Sequence, residues 1–431
     1  GGEWYDFFDI HVLNDLWMWD GTNWTWVSGS DEPDHIGTYG TKGIAAPGNV
    51  PGARFGAVSW TDVAGNLWLF GGGGLGATGW GYLNDLWKWD GTNWTWVSGS
   101  NVPDQFGTYG TKGLAAPGNV PGAREGAVSW TDATGTLWLF GGSGKGATGT
   151  GYLNDLWKWD GANWMWVSGS DLTNRSSQYG SPGVPAPENT PGGRGHAVAW
   201  TDSTGSLRLF GGVGLHEFGD LWTWDGTNWV WSGGESPSGI YGTRGVPTPH
   251  NFPMWRSGGV SWTDGGGSHW LFGGSVVCDW GSGYLNDLWR WDGTSWTWMS
   301  GSNGKDEFGR YGTKGVAAPT NVPGARDGAA SWTDAGGNLW LFGGHWRDPL
   351  PLGDVPTLSF NDLWRWDGAN WTWISGSSSP SQPGVYGTKG VAAPGNVPGA
   401  RERAVSFTDA AGNFWLFGGW GYAATGGGYL N

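Results

Sequence analysis

Six arginines recur in fixed order along the chain, Arg54, Arg124, Arg194, Arg256, Arg326 and Arg401, each closing a "GAR" triplet or a variant of it. If they gather around one axis, their guanidinium groups form a ring suited to an anion or a sugar acid. The other reading is that each binds backbone carbonyls and a neighbouring carboxylate to lock its own segment. Lys42, Lys112, Arg244, Lys314 and Lys389 recur nearby. Catalysis needs non-equivalent groups brought together, and few are on offer. His11, His35, His196, His216, His250, His269 and His345 are scattered without the spacing of metal ligands, so no metal and no cofactor is expected. Aspartates in "TD" (Asp62, Asp132, Asp202, Asp264, Asp334, Asp409) and "WDG" (Asp20, Asp90, Asp160, Asp225, Asp292, Asp367) sit in tight-turn contexts. Turn hydrogen bonding is expected there rather than calcium, which wants about six or more converging oxygens.

The aromatic residues divide into two sets. A typical unit supplies six tryptophans, in the second Trp87, Trp89, Trp94, Trp96, Trp130 and Trp138. Each can bury about 150–250 Å², and fixed placement on strands points to filling the seams between neighbouring units. Trp4, Trp80, Trp280, Trp346 and Trp420 do not repeat. With His216, the tryptophans Trp80, Trp280, Trp346 and Trp420 are the candidate ligand-binding residues, because an aromatic face packs against the apolar face of a sugar. The divergent segments 73–81, 213–218, 275–283 and 345–359 are where a specific site is expected.

The elements that must position these residues follow one period. "DLW" falls at Asp15, Asp85, Asp155, Asp220, Asp287 and Asp362, at intervals of 70, 70, 65, 67 and 75 residues. Glycine pairs follow "LF" at 71–72, 141–142, 211–212, 273–274, 343–344 and 418–419, so three series keep the same order through six units. Within the unit after Arg124, "GAVSW" (126–130), "LWLF" (137–140), "DLWKW" (155–159) and "WMWVS" (164–168) alternate large with small or polar residues, as half-buried strands do. "TDATGT" and "DGAN" are tight turns joining antiparallel neighbours. The remaining links are long and share the opposite face; the near-copied loop "YGTKGIAAPGNVPG" is expected to pack on itself.

Each unit resembles a kelch repeat. That family's Arg before the first strand, Gly-Gly closing the second, aromatic on the third and Trp on the fourth become Arg124, Gly141-Gly142, Trp159 and Trp166, and the match recurs in all six units. The resemblance implies an all-β chain, a six-bladed β-propeller of four-stranded antiparallel blades. One blade then combines N- and C-terminal strands. Unit three departs at "SPG" (Ser181), and unit four is shortened before Asp220 and has "MWR" for "GAR". Some propellers of this kind are copper radical oxidases related to galactose oxidase, using a Cys-linked Tyr and two His. Cys278 could play the first part, but no Tyr or His partner is identifiable in the sequence.

A propeller of this kind spans residues 15–431, with residues 1–14 as a linker equivalent to a second-to-third strand loop. The net charge of −15 argues against a nucleic-acid partner, and no stretch is apolar for long enough to insert in a membrane. "NWT" sequons begin at Asn23, Asn93 and Asn370. The chain opens at Gly1, so a processed product or part of a longer array is expected. Segments 1–14 and 418–431 both run from "GG" to "LN", which suggests ends able to join other copies. The function expected is a non-catalytic extracellular or cell-surface scaffold or adhesion protein. Its partners would be further copies of itself or extracellular polysaccharide. The alternatives are a glycan-binding propeller using divergent loops of one face and, last, a copper enzyme.

Overall fold

Alternating aromatic and small residues, cut by Asp-led turns, fold each unit into one small sheet. The computed structural model describes residues 11–424 apart from 133, 203–204, 235–237, 278–280 and 348–357, and every regular element among them is a β-strand. In the unit after Arg124, Val128–Thr131, Leu137–Phe140, Leu156–Trp159 and Trp164–Ser168 pair antiparallel in that order. The turn aspartates organise the reversals. Asp132 accepts hydrogen bonds from the backbone of Thr134 and Thr136 and from the Trp138 indole, and Asp160 accepts from the backbone of Ala162 and Asn163.

Six such sheets close into a ring. Their innermost strands are Val58–Thr61, Val128–Thr131, Val198–Thr201, Val260–Thr263, Ala330–Thr333 and Val405–Thr408. Each touches the next and the last touches the first, so the fold is a six-bladed β-propeller; blades are numbered 1 to 6 in that order. Blade 6 joins the two ends of the chain: Phe414–Gly421 pairs with His11–Trp19, which pairs with Trp24–Ser28. Inner strands have one edge facing the axis, where unpaired carbonyls need donors. Serines of the "VSWT" pattern supply them from blade to blade, as Ser59 does to the Ser406 carbonyl and Ser129 to that of Ser59.

The core lies between blades. Two tryptophans per blade are wholly buried, such as Trp87 and Trp94, Trp157 and Trp164, or Trp364 and Trp371. Across each seam the ring that opens the outermost strand meets the preceding blade: Trp164 lies 5.3 Å from Phe70, Trp229 5.3 Å from Phe140, and Trp24 5.5 Å from Phe342. The near-copied long loop lies against its own blade. Gly43 N–H donates to the Trp96 carbonyl, Asn49 to that of Trp94, and Lys42 sits 4.3 Å above the Trp96 ring while bonding the Gly99 carbonyl.

Beyond each Gly-Gly the second strand turns upward. Gly71 and Gly72 take φ of 70° and 103°, and a Cβ on Gly71 would come within 2.8 Å of the Arg124 carbonyl of the next blade, so glycine alone fits. In blades 1 and 4 the strand continues into an upper hairpin, as in Leu67–Leu75 with Trp80–Trp89, and in blade 6 it continues beside His11–Trp19 from the other end of the chain. Blade 3 replaces it with a short turn closed by a single Val213 to Glu217 bridge. These upper pieces build the walls around the axis on the long-loop face.

Candidate functional site

The six repeated arginines turn into their blades. Arg54 Nη1 and Nη2 each lie 2.7 Å from the two Asp85 oxygens, while its other donors reach the Gly52 and Gly71 carbonyls. Asp85 also accepts the Tyr39 hydroxyl and the Trp87 indole, each at 2.7 Å. The same knot forms at Arg124 with Asp155, Arg194 with Asp220, Arg256 with Asp287, Arg326 with Asp362 and Arg401 with Asp15. Every one of these guanidinium groups is at most 1% exposed. Burial, then the Asp85 charge, raise the Tyr39 phenol well above its usual range, so it stays a donor.

The axis itself is closed by the residues two places after each arginine. Gly56, Gly126, His196, Gly258, Gly328 and Arg403 all have positive φ, between 52° and 65°. Their backbones hydrogen-bond head to tail around the ring, each N–H donating to the carbonyl of a neighbour at 2.6–2.9 Å. Four are glycines, for which this conformation is unstrained; His196 and Arg403 hold it with side chains.

Those side chains meet the residues one place after each arginine. Glu125 lies 3.2 Å from His196 Nε2. Across the ring His345 Nδ1 faces Asp327 Oδ1 at 2.6 Å and Glu402 Oε2 at 2.5 Å, and Arg403 Nε stands 3.6 Å from Glu402. The other ring nitrogen of His345 is 3.3 Å from the Tyr284 hydroxyl of blade 4. Burial would lower the His345 imidazole, but the carboxylates of Asp327 and Glu402 outweigh it and raise it to about 10. Burial would likewise raise Glu125 and Asp327, yet the facing histidines, and then Arg403, hold both below the usual carboxylate range.

One sector of the same mouth is aromatic. Phe55 occupies in blade 1 the place that Glu125, Asp327 and Glu402 hold in theirs, and its ring lies 5.3 Å from Trp420 and 6.2 Å from Trp80. Trp80, near the tip of its hairpin, is 57% exposed, and Trp420 is paired in register with Glu402. The structure thus brings Trp80 and Trp420 together around Phe55. Trp346 stands apart: it is buried, with its indole 3.2 Å from Asp306 and its ring against exposed Phe308. His216 is exposed on the short turn of blade 3 and packs on Phe218. Trp280 and Cys278 lie outside the described residues, as do the chain ends, residues 1–10 and 425–431, on which joining of copies was expected.

Two kinds of hollow accompany this mouth. A depression of about 510 Å³ lies away from the axis, between Lys112, Asn154, Ser170 and Arg175. Several of its polar groups are already engaged locally: Lys112 bonds the Gly169 carbonyl and Asn154 accepts the Ser170 N–H. Along the axis, hollows of about 310 and 200 Å³ are lined by the serines, threonines and alanines of the inner strands. Neither gathers charged groups as the axial mouth does.

Sequence reasoning passed over Asp327, Glu402, Arg403 and Glu125, and took His196 and His345 for two of several scattered histidines. A signal was present. In a repeat copied almost letter for letter, the two positions after the arginine read "FG", "EG", "GH", "SG", "DG" and "ER". No protein-family model and no curated protein matches the chain, so the kelch resemblance rests on its residues. A solved structure, described as a novel fungal alcohol oxidase with catalytic diversity among the AA5 family in complex with copper, superposes with a TM-score of 0.44 at 15% identity. That alignment covers 95% of this chain and 74% of that one.

Proposed function

We propose that this chain is a rigid, non-catalytic scaffold or adhesion propeller that recognises carbohydrate at the axial mouth of its long-loop face. One observation carries the reading: departures from the repeat converge on that mouth, where the partly exposed aromatic group of Trp80, Phe55 and Trp420 faces a sector of carboxylates, imidazoles and a guanidinium. Pyranose rings have an apolar C–H face and a rim of hydroxyls. An aromatic surface beside charged donors and acceptors complements both. The repeated parts support a scaffold role, since their arginines and tyrosines are used up in locking each blade and their tryptophans in packing blade against blade.

The test is a panel of soluble glycans and insoluble polysaccharides presented to the purified chain. Saturable binding to at least one class, lost in Trp80→Ala while Trp346→Phe retains it, supports the reading. Absence of binding across the panel, or binding indifferent to Trp80, removes the mouth as a carbohydrate site.

A further inference from the structure

We propose that Asp327, His345 and Glu402 form a binding site for one divalent transition-metal cation at the propeller axis. The three side chains come from two adjacent blades: Asp327 and His345 from blade 5, Glu402 from blade 6. Their donor atoms all lie within 4.8 Å of one another, and each side chain is at least nine-tenths buried. A single imidazole nitrogen faces two carboxylate oxygens at once, and a ring N–H cannot point along both directions. Neither contact has hydrogen-bond geometry: His345 Nδ1 and Asp327 Oδ1 are buried without a hydrogen-bond partner. A cation that accepts lone pairs from all three would satisfy these buried groups together.

Charge and ligand chemistry agree with a divalent ion. Asp327 and Glu402, with nearby Glu125, supply three carboxylates beside the guanidinium of Arg403, so a dication held by a neutral His345 would meet negative charge already in place. An imidazole with two carboxylates suits zinc, cobalt or manganese; calcium wants more oxygens than the three groups supply. The outer contact is also in place. Tyr284 meets the far nitrogen of His345, which leaves Nδ1 directed at the carboxylates, as partners of metal-bound histidines do. The inference does not rest on carbohydrate binding, although the three side chains belong to the charged sector of the same mouth.

The full chain, stripped with chelator, is dialysed against Zn²⁺ and separately against Co²⁺. One equivalent per chain is expected, and the Co²⁺ form should show a visible absorption band. His345→Gln and Asp327→Asn should each abolish that equivalent. Tyr284→Phe, which leaves all three ligands, should weaken it by about 10–100-fold, as loss of an outer partner does. The exposed His11 and Asp34 pair offers a competing surface site, so His11→Ala should leave binding unchanged. Should a ligand variant fail to fold, nitrogen coupling in the electron-spin spectrum of the Cu²⁺-loaded wild type reads the imidazole directly. No stoichiometric binding, binding retained in both ligand variants, binding lost in His11→Ala, or no nitrogen ligand overturns the proposal.

Discussion

Asp15 and Arg401 lie near opposite ends of the sequence and form a two-armed ion pair, Arg401 Nη1 and Nη2 at 2.7 and 2.8 Å from the two carboxylate oxygens. Neither side chain is exposed, and Asp15 also accepts the Tyr386 hydroxyl and the Trp17 indole. The knot that locks every other blade internally here ties the start of the chain to its end, so the pair that stabilises a blade also closes the ring.

Removing one partner of that pair leaves the other buried and uncompensated. Asp15→Asn is expected to destabilise the ring by about 3–5 kcal/mol, whereas replacing both residues by apolar ones of similar volume should cost much less. Chemical denaturation of the single and double variants checks this. Equal loss in both would show that the charge is not what matters.

The two sets of tryptophan should separate cleanly. Trp164→Ala empties a fully buried seam position and should cost about 3–5 kcal/mol, while Trp80→Ala, at an exposed hairpin position, should stay within about 0.5 kcal/mol of wild type. Thermal unfolding of the pair decides it.

Gly99 shows how closely the strands and loops approach. Its φ is 75°, and a Cβ there would stand 2.0 Å from the Asn84 carbonyl oxygen. Gly99→Ala therefore carries both a backbone penalty of about 1–2 kcal/mol and a clash with main chain that cannot move aside. A melting temperature within a degree of wild type would contradict this geometry.

Glu217 should make stability depend on pH. Burial raises its carboxyl to about 7 from an ordinary 4.5, only partly offset by the Val277 N–H it accepts. The folded state therefore holds a proton that the unfolded state has lost, and stability should fall as pH rises from about 4.5 to about 7 and level off beyond. Glu217→Gln keeps an acceptor for Val277 without the charge. Its stability should lack that downward step, and unfolding midpoints measured across the range would show a parallel curve if Glu217 were irrelevant.

The period of "DLW", Arg and Gly-Gly made the blades legible, because each marks a place where the chain must turn, lock or approach its neighbour. Val128–Thr131, Leu137–Phe140, Leu156–Trp159 and Trp164–Ser168 fall within a residue or two of the alternating stretches that announce them. The axial mouth was harder to read. Asp327 and His345 lie on segments joined only by a narrow pairing, Glu402 belongs to the next blade, and none stands at ligand spacing from the others. Trp80 and Trp420 were visible as departures from the repeat, but their meeting over Phe55 depends on the closure of blade 6 against blade 1, which no local pattern encodes.

The most direct measurement is a calorimetric titration of the best-bound glycan into wild type, Trp80→Ala, and Glu125→Gln, a change on the charged side of the mouth. Single-site binding in wild type that is lost in Trp80→Ala and weakened in Glu125→Gln, with all three folded at the temperature of the titration, is the predicted result. Unchanged affinity in both variants would contradict the account and place recognition elsewhere on the propeller.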